Sequence, residues 1–320
     1  MNISNKIVMM LDEERLEGVK VSFVRYQNNT PIRETISCIV NGEKLKETDG
    51  TTVSLLIDKM STVEFESSSF YRATRFLDGS EKTVQVTLFP LPTTLKYHTH
   101  QEMLDVFEHV KSQCPDISSD YSIGESSEMS ALQVLRMSGG DTTQSADNGS
   151  KQRIKLVGGI HGNEVVGRES LINLIQYMCA AYRDDDLITK LVDTLDIHFL
   201  PEMNPDGFAV AEHDEWIKGR SNGAGIDLNR NFPDRFAARS AIMQPETFSV
   251  MKWSKEKMFT NSISLHGGSL VACYPFDNSK TGARLYSGSL DDDTFVFLTS
   301  SYANTHPTMH KGERVCDDDR

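Results

Sequence analysis

His161 and Glu164 stand three residues apart in Gly158-Gly-Ile-His161-Gly-Asn-Glu164, and His266 follows after a long spacer. Two imidazoles and a carboxylate are donor types that hold zinc at about 2 Å, and three protein ligands leave a fourth position for water. A site of that kind supports metal-assisted hydrolysis. A His–Glu pair at this spacing also arises by chance, so the third donor gives it weight.

Both histidines sit where strands should end. The apolar run Lys155 to Ile160 stops at His161, with Gly158, Gly159 and Gly162 giving the backbone room to turn, and Glu164 falls at a loop-to-helix transition. Ile263-Ser-Leu265 runs into His266 and is followed by Gly267-Gly268. Two strand ends of one sheet meet at its edge, where open α/β sheets carry their sites.

The elements around these residues divide near residue 92. Before it, Val19 to Val24, Thr52 to Ile57, Val63 to Phe65 and Val84 to Phe89 alternate with the two-residue period of half-buried strands. Gly18, Asn41-Gly42, Asp49-Gly50 and Asp78-Gly79 read as turns between them, which predicts a small all-β sandwich over 1–92. Pro90-Leu-Pro92 breaks the pattern, and Thr99-His-Gln-Glu102 opens a helix ending near Pro115. Strands at 132–137, 154–160, 196–200 and 261–265 then alternate with helices at 166–181 and 245–257. This order predicts an α/β domain over 93–320, a mixed sheet with helices on both faces. Residues 138–152, rich in Gly, Ser, Asp and Thr, read as a surface loop.

Composition narrows the class. With 46 Asp and Glu against 33 Lys and Arg, the net charge of −13 argues against a nucleic-acid partner and fits basic ligands. Met1 leads into polar residues with no signal-peptide pattern, and the longest apolar stretch, 171–182, is too short and interrupted to span a bilayer. Cys38, Cys114, Cys179, Cys273 and Cys316 are too few and scattered for a disulfide framework or a thiolate zinc site. Sequons begin at Asn2, Asn28 and Asn148 and are compatible with secretion. His98, His100, His306 and His310 read as surface or packing histidines. The aspartate runs 184–186, 291–293 and 317–319 read as solvated turns.

Longer motifs occur in a fixed order: His161-Gly-Asn-Glu164-Val-Val-Gly-Arg-Glu169, Met203-Asn-Pro-Asp-Gly207, Asp227-Leu-Asn-Arg-Asn-Phe-Pro-Asp234, Gln244-Pro-Glu-Thr247 and Leu265-His-Gly-Gly-Ser-Leu-Val-Ala-Cys-Tyr-Pro-Phe-Asp277. From about Tyr97 onward the chain resembles the zinc metallocarboxypeptidases (M14), and among them the regulatory N/E branch. The resemblance implies one zinc held by His161, Glu164 and His266. It implies that Asn229 and Arg230 hold the substrate's terminal carboxylate, a task suited to a planar guanidinium fork. Arg220 matches the arginine that stabilises the oxyanion, and Asp277 matches the acidic residue that selects C-terminal Lys or Arg. Each has a plainer reading: an arginine in this run can cap a helix or pair with a carboxylate, and Asp277 can be a turn residue.

The implied function is release of C-terminal Lys or Arg from peptides or proteins, in an extracellular or secretory setting. The first ninety residues resemble the transthyretin-like sandwich of this branch. Its place before the peptidase motifs suggests one repeat of a tandem member. In the family a glutamate in a Leu-Glu-Leu setting acts as general base, and no segment here matches it; Glu313 lies in a different context. The expectation is therefore a domain incomplete at its C-terminus, binding zinc with negligible hydrolysis. The alternative is a catalytically silent zinc- and peptide-binding protein.

Overall fold

The computed structural model describes residues 19–27, 30, 32, 34–48, 51–57, 59–92, 97–139, 151–211, 215, 217–236, 242–281, 283 and 285–311. Gly18, Asp49-Gly50, the asparagines of the three sequons, most of the 138–152 loop, Glu313, Cys316 and Asp317 to Asp319 lie outside the described residues.

In chain order the strands are β1 Val19–Arg25, β2 Ile36–Val40, β3 Glu43–Thr48, β4 Thr52–Leu55, β5 Ser61–Ser67, β6 Phe70–Leu77 and β7 Thr83–Leu88. There follow α1 His100–Gln113, β8 Ser118–Glu125, β9 Ala131–Met137, β10 Gln152–Gly158, α2 Val165–Ala181, α3 Asp186–Thr194 and β11 Leu195–Leu200. The order closes with α4 Pro205–Val210, a 3-10 turn at Leu228–Arg230, α5 Pro245–Lys257, β12 Asn261–Leu265, α6 Asp292–Asn304 and a second 3-10 turn at Met309–Lys311. The described residues form two compact units, one within 1–95 and 177–194, the other within 96–176 and 195–320.

The first unit contains the sheets β4-β1-β7 and β3-β2-β5-β6. Alternation builds their shared core: Val19, Val21 and Phe23 of β1 are buried with Cys38, Val63, Phe65, Leu77 and Val86. Asn41 and Gly42 have φ of 50° and 85° and turn β2 into β3, the positive-φ pair that a two-residue hairpin loop requires. β2, β3 and β6 are strands that the alternation did not reveal. β3 reads Glu-Lys-Leu-Lys-Glu-Thr at a sheet edge, where charges discourage further pairing and erase the apolar period.

The Asp184 to Asp186 run is not a solvated turn. Asp185 is buried, accepts from Ile188 N at 2.9 Å and Thr74 N at 2.8 Å, and so caps α3. The Asp291 to Asp293 run likewise opens a helix, α6.

In the second unit α1 begins as the sequence indicated. Thr99 Oγ1 accepts from Glu102 N at 3.2 Å, and Glu102 Oε2 accepts from Thr99 N at 2.8 Å, a complete capping box. The mixed sheet runs β12-β10-β11-β9-β8, with β10 parallel to both β11 and β12 and the β9 and β8 pairings antiparallel. β8 was not anticipated, because this polar edge strand offers no apolar run. Leu132, Val134, Val157, Ile160, Leu200, Met203, Leu228, Val250 and Trp253 form a core directly beneath the strand ends. Among the described residues no helix is long and apolar enough to cross a membrane.

One polar cluster within this sheet sets an acid limit. Asp196 lies 2.6 Å from Arg136 Nε and 3.2 Å from His198 Nε2. Burial opposes its charge, but His198 and Arg136 outweigh that and hold the carboxyl down to about 2. Burial also holds His198 below its ordinary value. Both groups bind protons more readily in the unfolded chain, so each contributes stability at high pH that is lost on acidification. The His198 contribution is full above about 6.5 and fades below it, and the Asp196 contribution fades from about 3.9 toward 2. Urea unfolding followed against pH should show both losses, and His198→Gln should remove the upper one. A stability profile unchanged by that substitution would contradict the assignment.

Candidate metal centre

Register brings the two histidine-bearing segments together. Gly158 at the end of β10 pairs with Leu265 at the end of the parallel neighbour β12, so His161 and His266 leave the same end of the sheet. Buried Ile160 anchors the first loop to the core. Gly162 N then donates to Gly219 O at 2.9 Å, drawing the loop against the segment that carries Arg220. A Cβ on Gly162 would lie 2.0 Å from Phe208 N and 2.2 Å from Gly207 C, both backbone atoms that cannot yield cheaply. Gly162→Ala should therefore lower the melting temperature and cut bound metal together. Unchanged metal content by elemental mass spectrometry would contradict this packing constraint.

His161, Glu164 and His266 converge, with one candidate ligand atom from each lying within 4.8 Å of the others. His161 is fully buried, and its Nδ1 lies 2.9 Å from Glu164 Oε1. Glu164 Oε2 lies 3.2 Å from His266 Nδ1 and accepts from Gly267 N at 2.7 Å. The imidazole rings stand 4.8 Å apart at 89°. Burial raises the cost of charging Glu164, yet hydrogen bonds from His161 and Gly267 and the nearby histidines hold its carboxyl below the usual range. Two imidazole nitrogens and an ionised carboxylate at one sheet end form a donor set that fits zinc.

Around this trio lies a polar shell. Asp227 Oδ1 lies 3.0 Å from His161 Nε2 and also accepts from Asn229 N at 2.8 Å. Burial disfavours the Asp227 charge, but His161 and Arg220 keep its carboxyl below the ordinary value. Asp227 thus faces Nε2 of the ring while Nδ1 faces Glu164, so the imidazole is held from both sides. Arg220 reaches Asp227 Oδ2 at 2.9 Å through Nη2, while its Nη1 lies 3.3 Å from His161 Nδ1 and 3.6 Å from Glu164 Oε1. Arg220 thus sits beside the trio.

The remaining expected residues lie further out. Asn229 and Arg230 are exposed in the Leu228–Arg230 turn, next to Asp227. Arg230 Nη1 donates to Asn229 O at 3.1 Å, and among the described residues Arg230 has no carboxylate partner. Asp277 is exposed in the segment after β12 and touches none of the trio.

The family model for zinc carboxypeptidases (peptidase M14) matches residues 103–319, more than half of the chain. The chain belongs to the zinc carboxypeptidase family. Human carboxypeptidase D is 37% identical over 269 residues, covering 83% of this chain and 19% of that protein. Mouse carboxypeptidase M is 42% identical over 235 residues, covering 71% of this chain and 52% of its own length. Mouse carboxypeptidase Z is 37% identical, covering 70% and 39%. The chain therefore spans about half, or much less, of these relatives.

In fold, the chain is similar to thrombin-activatable fibrinolysis inhibitor, with a TM-score of 0.56, 22% identity and coverage of 68% of this chain and 58% of that one. It is also similar to carboxypeptidase A from Helicoverpa armigera, with a TM-score of 0.55, 20% identity and coverage of 65% and 53%.

Two groups in this chain escaped sequence reasoning. Asp227 belongs to a conspicuous motif, but 66 positions separate it from His161 and no spacing rule connects them. Of the surface and packing roles open to His98 and His100, both take the packing one, against charged partners. His98 Nδ1 lies 2.7 Å from Glu169 Oε2, and His100 Nδ1 bonds Glu202, both carboxylates being buried around Arg168.

Proposed function

We propose that the chain acts on the C-termini of peptides or proteins as a zinc-dependent metallocarboxypeptidase with a preference for Lys or Arg. The convergence of His161, Glu164 and His266, with Asp227 bound behind His161, is the observation that carries this reading. His161, Glu164 and His266 would hold one zinc ion. When bound, zinc supplies Lewis acidity to a carbonyl and acidity to a water.

The chain's own groups do the rest. Asp227 holds the Nε2 proton of His161 and keeps the ring oriented. Arg220 presents a fixed cation beside Glu164, where an oxyanion formed at a peptide carbonyl would gain most. Arg230 has a guanidinium without a carboxylate partner among the described residues, suited to a terminal carboxylate with Asn229 alongside. Asp277 supplies an anion for the substrate's Lys or Arg side chain.

Cys114 and Cys179 are each in the disulfide-bonded state. That state fits the extracellular or secretory setting the resemblance implies.

A second reading has one observation in its favour. Among the described residues, Asp227 is the carboxylate outside the trio that lies within hydrogen-bonding reach of it, and it is already engaged by His161 and Arg220. A zinc- and peptide-capturing chain without turnover would look the same at this level.

Mass spectrometry of a zinc-loaded sample incubated with peptides ending in Arg, Lys or Phe separates the readings. The proposed activity predicts loss of the terminal Arg or Lys, blocked by a chelator. Binding without loss supports the silent reading, and internal cleavage would contradict both.

A further inference from the structure

We infer that Asp234 is a positioning residue for basic-side-chain selectivity, tying the segment that carries Asn229 and Arg230 to the segment that carries Asp277. The inference rests on the role proposed above for Asp277.

Asp277 is flanked by two residues, and each is gripped by the other segment. On one side, Asn278 Nδ2 donates to Asp234 Oδ2 at 2.6 Å. On the other, the guanidinium carbon of Arg235 lies 4.4 Å from the centroid of the Phe276 ring, within cation–π range. The adjacent pair Asp234 and Arg235 therefore holds the two neighbours of Asp277, while among the described residues no hydrogen bond or ion pair engages the Asp277 carboxylate itself. That is the arrangement expected where a carboxylate must stay available to a ligand yet keep its place.

Asp234 is built for this position. Its Oδ1 accepts from Phe236 N at 2.6 Å, a local turn that fixes the side chain and the direction in which Arg235 leaves. Its other oxygen is thereby aimed at Asn278, whose own Oδ1 is occupied by Ser279 N at 2.8 Å, leaving Nδ2 as the donor. Phe276 N is held independently by Ser287 O at 2.9 Å, so the segment has a fixed backbone on which the Asp234 bridge sets the final placement. Four residues upstream of Asp234 stands Arg230, the proposed carboxylate fork. One short stretch would then set the distance between the group that reads a peptide's terminal carboxylate and the group that reads its last side chain.

The test compares affinities of the zinc-loaded full chain for N-benzoylglycyl-Arg and N-benzoylglycyl-Phe, measured by calorimetry in the cold. Asp277→Ala should collapse the Arg-to-Phe ratio. Asp234→Asn keeps the local turn but sets two amide donors face to face, and it should lower the ratio about fivefold, the effect of one net hydrogen bond. Asn278→Ala should do the same, and the double change Asp234→Asn with Asn278→Asp, which restores a donor and an acceptor with reversed polarity, should recover most of the loss. A purely structural role would lower both affinities equally and leave the ratio fixed. A ratio that collapses with Asp277→Ala yet survives Asp234→Asn overturns this inference alone. A ratio indifferent to Asp277→Ala overturns the role of Asp277 and the inference with it.

Discussion

His161→Ala is expected to reduce zinc affinity by more than the hundredfold that marks the upper end of outer-shell substitutions, because it removes a ligand and also strands its support. His161 is fully buried between Glu164 and Asp227. Without the imidazole the two carboxylates lose the group that bonds and separates them, so the site loses a donor and the support of its neighbours together. Asp227→Asn should be milder, about ten- to a hundredfold, since it leaves all three ligands in place and disturbs only the orientation of one. Competition with a chromophoric chelator gives both values. Equal affinity in the wild-type and His161→Ala chains would show that zinc sits elsewhere.

Arg168→Met carries the largest expected loss of stability. Arg168 is buried at 1% exposure, with Nε on Glu202 Oε1 at 2.9 Å and Nη1 on Glu169 Oε1 at 2.6 Å. Nη1 also donates to His98 O at 2.8 Å, and the guanidinium stacks 4.1 Å from the Phe208 ring centroid. Removing the cation leaves two buried carboxylates sharing only His98 and His100. Breaking a buried pair from one side costs about 3–5 kcal/mol, far more than the pair contributes net. Arg168→Lys should recover only part, because an ammonium cannot reproduce the fork that reaches both carboxylates. Urea unfolding curves decide it, and a loss below about 1 kcal/mol would contradict the buried-network account.

These two sites differ in how readable they were. The donors at positions 161, 164 and 266 could be named because a glycine-flanked histidine at the end of an apolar run is a local pattern and the longer motifs around it resemble those of the family. Each of the two parallel strands carries such a pattern, and their Gly158–Leu265 register brings the three candidate donors to one end of the sheet. The Arg168 network gave no such signal. Its partners come from the α1 cap, the first turns of α2 and the end of β11, and a charged residue in sequence looks like a solvated one until its partners are placed.

The same distinction holds for the elements. β1, β7, α1, α5 and β12 were legible because alternation, a capping box or a proline start was written locally. β3 and β8 were not, because sheet edges carry charged and polar residues that erase the period. α3 hid behind an aspartate run that resembled a turn until Asp185 proved to be its cap. At the periphery of the site, the Asp234–Asn278 bridge depends on loop approach, which no spacing encodes.

The most direct measurement is the affinity of the zinc-loaded chain for a peptide ending in Arg with a free α-carboxylate, set against the same peptide amidated at its C-terminus. Capture through Asn229 and Arg230 predicts that the free acid binds at least tenfold tighter, the effect of one charge-assisted hydrogen bond or more, and that Arg230→Ala abolishes the difference. Equal affinity for the two peptides would contradict recognition of a peptide C-terminus.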